Sequence, residues 1–312
     1  MPFMQATDHT SAKRLGARNR FLAACSLAGA ATTAYRRPNT SVTKNDECWI
    51  DIARLGSPDA AGVLVLSCGL NGEEGLCGST IMTEWLSSGY QRDVPRNIGV
   101  IMLHTVLPVA YAAGSAPAPE NAPQRGWSDT VLSAAARRFT SYAELTGKKS
   151  TNDAAVPVMP APDTNWMEAA SDVIVDEVIE HARNVALLEF HTSLRPFGEI
   201  AIASCHPATS DASSRLKKWF EDDVEMDEPA ILDIFALGFG ARLAELSLTA
   251  AHVEFGVYTM GGILGFDARK STAERHADVR SMFSPDSDEW HEHIRSKGIQ
   301  IVGRALAGLG KA

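Results

Sequence analysis

The sequence contains no apolar run that approaches the roughly 20 residues needed to cross a bilayer. Its five cysteines are an odd number without paired spacing, which excludes a disulfide framework and favours reduced thiols in the cytoplasm. Basic residues are outnumbered, 29 Lys and Arg against 38 Asp and Glu, and the net charge of −9 argues against a nucleic-acid partner. The sequence also shows no internal repeat. These absences favour a soluble globular protein that binds neither nucleic acid nor membrane; the oligomeric state is not indicated.

The amino-terminal region has two interpretations. The stretch FLAACSLAGAATTAY (21–35) follows basic residues and resembles a secretion signal. Its apolar core is short, however, and it lies behind twenty mostly polar residues. Leu15, Phe21, Leu22 and Leu27 fall on one broad face of a helix. We therefore favour an amphipathic helix over about residues 11–31.

Short apolar runs alternate with helix-length segments along the rest of the chain. This alternation predicts an α/β fold in which a largely parallel or mixed twisted sheet carries helices on both faces. We expect one domain over residues 1–312, with two long Pro-rich loops that line or cover a crevice. The predicted strands are 62–67, 98–104, 184–190, 199–204 and 248–255, the helices 78–88, 128–145, 167–182, 212–223, 229–246 and 287–309, and the loops 112–127 and 147–166.

Ionisable residues follow three of the predicted strands. Glu74 lies just beyond the first, His191 ends ALLEFH, and Glu254 ends LTAAHVE. In an open parallel sheet, ligands bind in the crevice at the carboxyl ends of the strands, so we expect these three side chains to lie together. Two carboxylates and a histidine indicate a metal ion and a general base. One ligand is then missing, and Asn71 stands where it is expected.

Three motifs resemble the zinc carboxypeptidase superfamily, and in particular a bacterial branch of unknown function. The run 48–86 contains NGEEGLCGS where that branch has a His-Gly-x-Glu-Gly motif. The segment LLEFHTSLRPFGE (187–199) is similar to the motif of the second histidine ligand, and HVEFGVY (252–258) resembles the strand of the catalytic glutamate. The ends of the chain, 11–30 and 283–309, also match the branch. The resemblance implies a carboxypeptidase-like hydrolase fold with Glu74 and His191 as zinc ligands and Glu254 as catalytic base.

The first departure from the family is Asn71, which replaces the first histidine ligand. An Asn side-chain oxygen has about the same reach as the Nδ1 atom through which the superfamily binds its metal. As a neutral oxygen donor it suits Zn²⁺ less well and Mn²⁺ or Mg²⁺ relatively better. The metal ligands implied are thus Glu74, His191 and Asn71.

The second departure concerns the residues that grip a substrate carboxylate in the family. Here the chain reads TVLPVAYAAGSAPAPENAPQRGWSD, in which Asn121 matches the start of that motif and Arg125 lies one position out of register. Asn121 and Arg125 are therefore the candidate substrate-binding residues.

Three functional hypotheses remain open. The first is a metallopeptidase-like hydrolase in which a metal ion activates water, Glu254 takes its proton, and an amide or peptide bond of a small peptide or N-acyl amino acid is cleaved. The second is a pseudoenzyme that binds a peptide-like ligand in the same crevice without metal. The third is altered chemistry in which Cys68, Cys77 or His104 completes a reorganised metal site.

Overall fold

The computed structural model describes residues 3–36, 49–69, 75–106, 182–226, 246–258 and 283–311. Within these ranges the chain forms eight strands and four α-helices. The strands are β1 (Ala31–Arg36), β2 (Trp49–Leu55), β3 (Gly62–Cys68), β4 (Ile98–Val106), β5 (Asn184–Pro196), β6 (Ile200–Ser204), β7 (Val224–Glu225) and β8 (Ser247–Tyr258). The helices are α1 (Phe3–Ala28), α2 (Leu76–Ser87), α3 (Asp211–Phe220) and α4 (Asp288–Leu309).

All eight strands belong to one mixed sheet, in the order β1-β2-β4-β3-β5-β8-β6-β7. The four central strands, β4, β3, β5 and β8, are parallel, and β2 and β6 flank them in the antiparallel direction. Every residue of β3 is buried, as expected for a central strand covered on both faces. The predicted α/β class and the five predicted strands are confirmed.

The sequence did not predict β1, β2 or the two-residue β7. Strand β1 pairs with β2 at one edge of the sheet, and most of its side chains are exposed. Strand β2 pairs with β4 and carries the buried Asp51 in its centre. An exposed edge strand has no apolar pattern, and a charged residue interrupts the pattern of β2.

One face of the sheet, which we call the helix face, packs against the described helices. It is formed by alternate residues such as Leu66, Phe190 and Val253, which lie in one hydrophobic core with residues of all four helices. Helix α2 approaches β3 and β5 closely at Gly78, which has no side chain. A Cβ at this position would lie 2.5 Å from the Cβ of Cys68 and 2.8 Å from that of Phe190. This contact fixes the start of α2 beside the carboxyl end of β3.

Helix α4 begins at a serine cap. The hydroxyl oxygen of Ser287 accepts a hydrogen bond of 3.2 Å from the backbone N–H of Trp290. Asp288 and Glu289 lie in the first turn, where their negative charges interact favourably with the helix dipole. Trp290 and Ile294 then pack into the core. The predicted helix 287–309 therefore begins and ends within one residue of the observed one.

Helix α1 begins earlier than predicted and ends at Ala28, three residues before the predicted end. Its buried face includes Phe21, Ala24 and Cys25, whereas Leu27 is 85 % exposed, so the assignment of Leu27 to the packed face was wrong. None of the helices within the described ranges is both long and apolar enough to span a membrane. The predicted helix 128–145, nearly all of 167–182 and 229–246, and the loops 112–127 and 147–166 lie outside the described residues.

Candidate functional site

The sheet register places His191 and Glu254 side by side. They are direct partners on the parallel strands β5 and β8, so both side chains point to the same side, opposite the helix face. We call this side the site face. Both residues are buried, and His191 lies one residue beyond the β5 partner of Cys68, at the level where β3 ends. Two of the three residues that the sequence expected to converge do so.

The third, Glu74, lies outside the described residues together with Asn71, and so do Asn121 and Arg125. The residues that flank 70–74 are described. Cys68, the last residue of β3, pairs with Phe190, the residue before His191, and Gly69 and Gly75 contact each other. The chain therefore leaves and re-enters the described structure at the strand end adjacent to His191.

His191 is packed between a carboxylate and a second imidazole. Its Nε2 lies 3.8 Å from Oε1 of Glu189, which is fully buried two residues earlier on the same face of β5. Its ring centroid lies 4.2 Å from that of His252 on β8. Glu189 and His252 are themselves register partners. The site face thus carries two adjacent Glu–His pairs, Glu189 with His252 and His191 with Glu254.

Glu254 has a different partner for each carboxylate oxygen. Oε1 lies 3.3 Å from Nδ1 of His252, and Oε2 accepts a hydrogen bond of 2.9 Å from Nε of Arg195. Burial acting alone would raise the pKa of Glu254, but the hydrogen bonds and charges of His252 and Arg195 outweigh it and lower the pKa to about 2. Glu254 is therefore ionised at neutral pH.

Sequence reasoning missed Arg195 and Glu225. Besides Glu254, Arg195 binds both oxygens of Glu225, at 2.9 and 2.6 Å, so one guanidinium bridges two carboxylates. Burial opposes the charge of Arg195, but the two glutamates outweigh it and raise its pKa. The next residue is Pro196, which is typical of a surface turn, so no local signal in the sequence indicates this contact.

The fit of a metal ion depends on His191. Glu189 lies on the Nε2 side of its ring, at a distance beyond a hydrogen bond; metal-bound histidines commonly hydrogen-bond their other nitrogen to a carboxylate. The described residues alone contain no group of three His, Cys, Asp or Glu placed to hold a metal. A metal at His191 therefore requires donors from outside the described residues, and the predicted ligands Glu74 and Asn71 have suitable donor atoms.

The spare ligands of the third hypothesis lie on the other side of the sheet. His104 pairs with Cys68, and Cys68 with Phe190, so all three point to the helix face. His104 stacks on Phe21 of α1 at 4.5 Å, and its Nε2 is hydrogen-bonded to Ser79 of α2 at 2.8 Å. Cys68 and Cys77 are buried in the hydrophobic core. In the structure these residues are separated from His191 by the sheet.

The chain is similar over residues 12–121 to the model of a family described as a protein of unknown function (DUF2817). This segment includes β3, β4 and the first motif but is less than half of the chain. No curated protein matches the chain.

Solved structures with a similar arrangement come from proteins of low sequence identity. A Zn-dependent exopeptidase from Parabacteroides distasonis is 9 % identical, with 96 % of this chain and 97 % of the other covered and a TM-score of 0.44. The LapA aminopeptidase of Legionella pneumophila is 9 % identical, with 99 % and 70 % covered and a TM-score of 0.45. A glutaminyl cyclase from Macrostomum lignano is 11 % identical, with 94 % and 81 % covered and a TM-score of 0.42.

Proposed function

We propose that this protein is a metal-dependent hydrolase that cleaves an amide or peptide bond in a small peptide or N-acyl amino acid. One observation carries the proposal: the buried His191 and Glu254 are register partners on the site face, beside the strand end from which residues 70–74 extend. A nitrogen donor and an ionised carboxylate base next to each other are two of the groups that metal-assisted hydrolysis uses.

In this proposal His191, Glu74 and Asn71 hold the metal, and Glu189 orients His191. The metal ion would polarise the substrate carbonyl and make water more acidic. Glu254 is ionised and takes the proton of the attacking water, then gives it to the leaving amine. Asn121 and Arg125 remain the candidate residues for binding a substrate carboxylate, and the protein is proposed to act in the cytoplasm.

A second candidate is favoured by the surroundings of Glu254. Both of its oxygens have cationic or imidazole partners, and a pKa of about 2 lies well below the value at which a general base is most effective near neutral pH. With Asn71 in place of a ligand histidine, the same crevice would then bind a peptide-like ligand without metal and without turnover.

The deciding experiment measures metal content and hydrolysis in the same preparations. Zinc, manganese and iron are quantified in the purified wild type and in Glu74→Ala, His191→Ala and His291→Ala, the last being a partly exposed histidine of α4 that serves as the control. Hydrolysis is followed by mass spectrometry on the tripeptide Ala-Ala-Phe, with its amino end free or acetylated and its carboxyl end free or amidated, in the presence of Zn²⁺, Mn²⁺ or Mg²⁺.

The hydrolase proposal expects about one metal per chain and cleavage of at least one tripeptide form. Both properties should be lost in Glu74→Ala and His191→Ala and kept in His291→Ala. A wild type that takes up no metal and cleaves none of the four forms would reject the hydrolase and favour the metal-free binding protein.

A further inference from the structure

A bulge in β5 carries Arg195 over the neighbouring strand. Ser193 pairs with Gly256 of β8, but the register shifts before Pro196 pairs with Tyr258, so β5 has one residue more than β8 in this interval. A side chain at 256 would have no room, because its Cβ would clash with the carbonyl oxygen of Pro196 and lie 2.9 Å from the Cβ of Arg195. The bulge and the missing side chain together let the chain at Arg195 lie directly over β8.

The side chain of Arg195 then spans the site face toward the edge of the sheet. Glu225 lies on β7, which is separated from β8 by β6. The residues of β6 that point to this face are Ala201, the partner of Glu254, and Ala203, the partner of Glu225. Both alanines are buried. Their small side chains leave the space through which an arginine on β5 reaches a carboxylate three strands away.

The guanidinium of Arg195 and the imidazole of His252 hold different oxygens of Glu254. Nε of Arg195 holds Oε2, while Oε1 lies on the side of His252, whose ring contacts His191. The two terminal nitrogens of Arg195 are fixed by both oxygens of Glu225. Glu225 thus anchors Arg195, and Arg195 prevents the carboxylate of Glu254 from rotating.

We propose that Arg195 is a positioning residue for Glu254, with Glu225 as its anchor. The inference rests on the proposed function, in which Glu254 is the base. A base that is misplaced by about 1 Å loses on the order of 100-fold in rate, so an arginine that fixes the carboxylate acts on turnover more than on substrate binding. The planar fork of arginine binds two carboxylates at once, which a lysine ammonium does not reproduce.

The test compares Arg195→Met, Arg195→Lys and Glu225→Gln with the wild type. Arg295→Met is the control, because Arg295 on α4 is also partly exposed and ion-paired, with Glu292 at 2.9 Å, and α4 packs on the helix face. Values of kcat and KM are measured on the Ala-Ala-Phe form that the wild type cleaves fastest. Urea unfolding of Arg195→Met, Glu254→Gln and the double variant gives the coupling between the two residues.

We expect Arg195→Met to lower kcat at least about tenfold while KM changes less than about threefold. Arg195→Lys should recover part of the loss, the kcat of Glu225→Gln should lie between those of Arg195→Lys and the wild type, and Arg295→Met should keep the wild-type kcat. The effects on the unfolding equilibrium constant should be non-additive in the double variant, because the two residues contact each other.

Two results would overturn the positioning role while leaving the hydrolase intact. One is a wild-type kcat in Arg195→Met, which would make the ion pair purely structural. The other is strict additivity in the unfolding cycle, which would mean that the pair does not form in solution. A wild type that cleaves no form of the tripeptide rejects the proposed function and the positioning role with it, and this outcome is recognised from the wild type alone.

Discussion

His191 and Glu254 face each other across β5 and β8, and each has a second ionisable residue two positions earlier on its own strand. The earlier residues, Glu189 and His252, are paired as well, so acid and imidazole alternate on both strands. All four side chains lie on the site face within two adjacent rows of the sheet. The arrangement places a carboxylate on the Nε2 side of His191, and the proposed metal site would use the Nδ1 atom of the same ring.

Restoring the missing histidine should strengthen zinc binding. Asn71→His replaces a neutral amide oxygen by an imidazole, the donor that zinc prefers, and we expect zinc affinity to rise by about tenfold or more. Affinity is measured by competition with a chromogenic chelator. The control is Asn97→His, which adds a histidine at an exposed position just before β4. Equal affinity in Asn71→His and the wild type would show that residue 71 is not at the metal.

Gly256→Ala should destabilise the protein by about 3 kcal/mol, because the added methyl group clashes with the backbone oxygen of Pro196. A backbone atom cannot relieve the clash by a change of rotamer. Gly303→Ala is the matched control, since Gly303 lies in α4 with no atom within 4 Å of the added Cβ. That variant should gain about 0.5–1 kcal/mol from helix propensity. Urea unfolding measures both. A neutral Gly256→Ala would show that β5 does not lie over β8 as described.

The central strands were predictable because each is a continuous apolar run. The candidate site residues were predictable because they lie where these runs end. The sequence did not predict on which face of the sheet each of these side chains lies. His104 and His191 both lie where a predicted strand ends, yet they lie on opposite sides of the sheet. The sequence does not state which residues of neighbouring strands pair, and a shift of one residue moves a side chain to the other face.

Arg195 could not be predicted for a different reason. Its role depends on a bulge in β5, on the absence of a side chain at Gly256 and on the small residues Ala201 and Ala203, which lie on three separate strands. None of these features is informative alone. The long-range contact between β5 and Glu225 is a property of the folded sheet, and it changes the electrostatics of the residue that the sequence did identify, Glu254.

The ion pair between Arg18 and Asp51 should be essential for docking α1. Nε and a terminal nitrogen of Arg18 bind both oxygens of the fully buried Asp51, at 2.6 and 2.7 Å, and the guanidinium lies 3.9 Å over the ring of Trp49. Arg18→Met leaves a buried carboxylate without its cation and should cost about 3–5 kcal/mol in urea unfolding.

Two comparisons test this explanation. In the double variant Arg18→Met, Asp51→Leu, much of the stability should return, because no buried charge remains. Glu292→Ala breaks the exposed pair with Arg295 and should cost less than about 0.5 kcal/mol. If the double variant is no more stable than Arg18→Met, the loss comes from packing against Trp49 and not from the charge of Asp51.

His104 should make the stability depend on pH. Burial, with a smaller contribution from the nearby Arg18, lowers its pKa from 6.5 to about 3. Between these values the unfolded chain binds a proton that the folded protein excludes, so this contribution is complete above pH 6.5 and is lost as the pH falls toward 3, by at most about 1.4 kcal/mol per pH unit. In urea unfolding between pH 4 and 7, the free energy of unfolding of His104→Gln should fall less steeply with decreasing pH than that of the wild type, because the contribution of His104 is missing. An unchanged slope would mean that His104 is protonated in the folded protein.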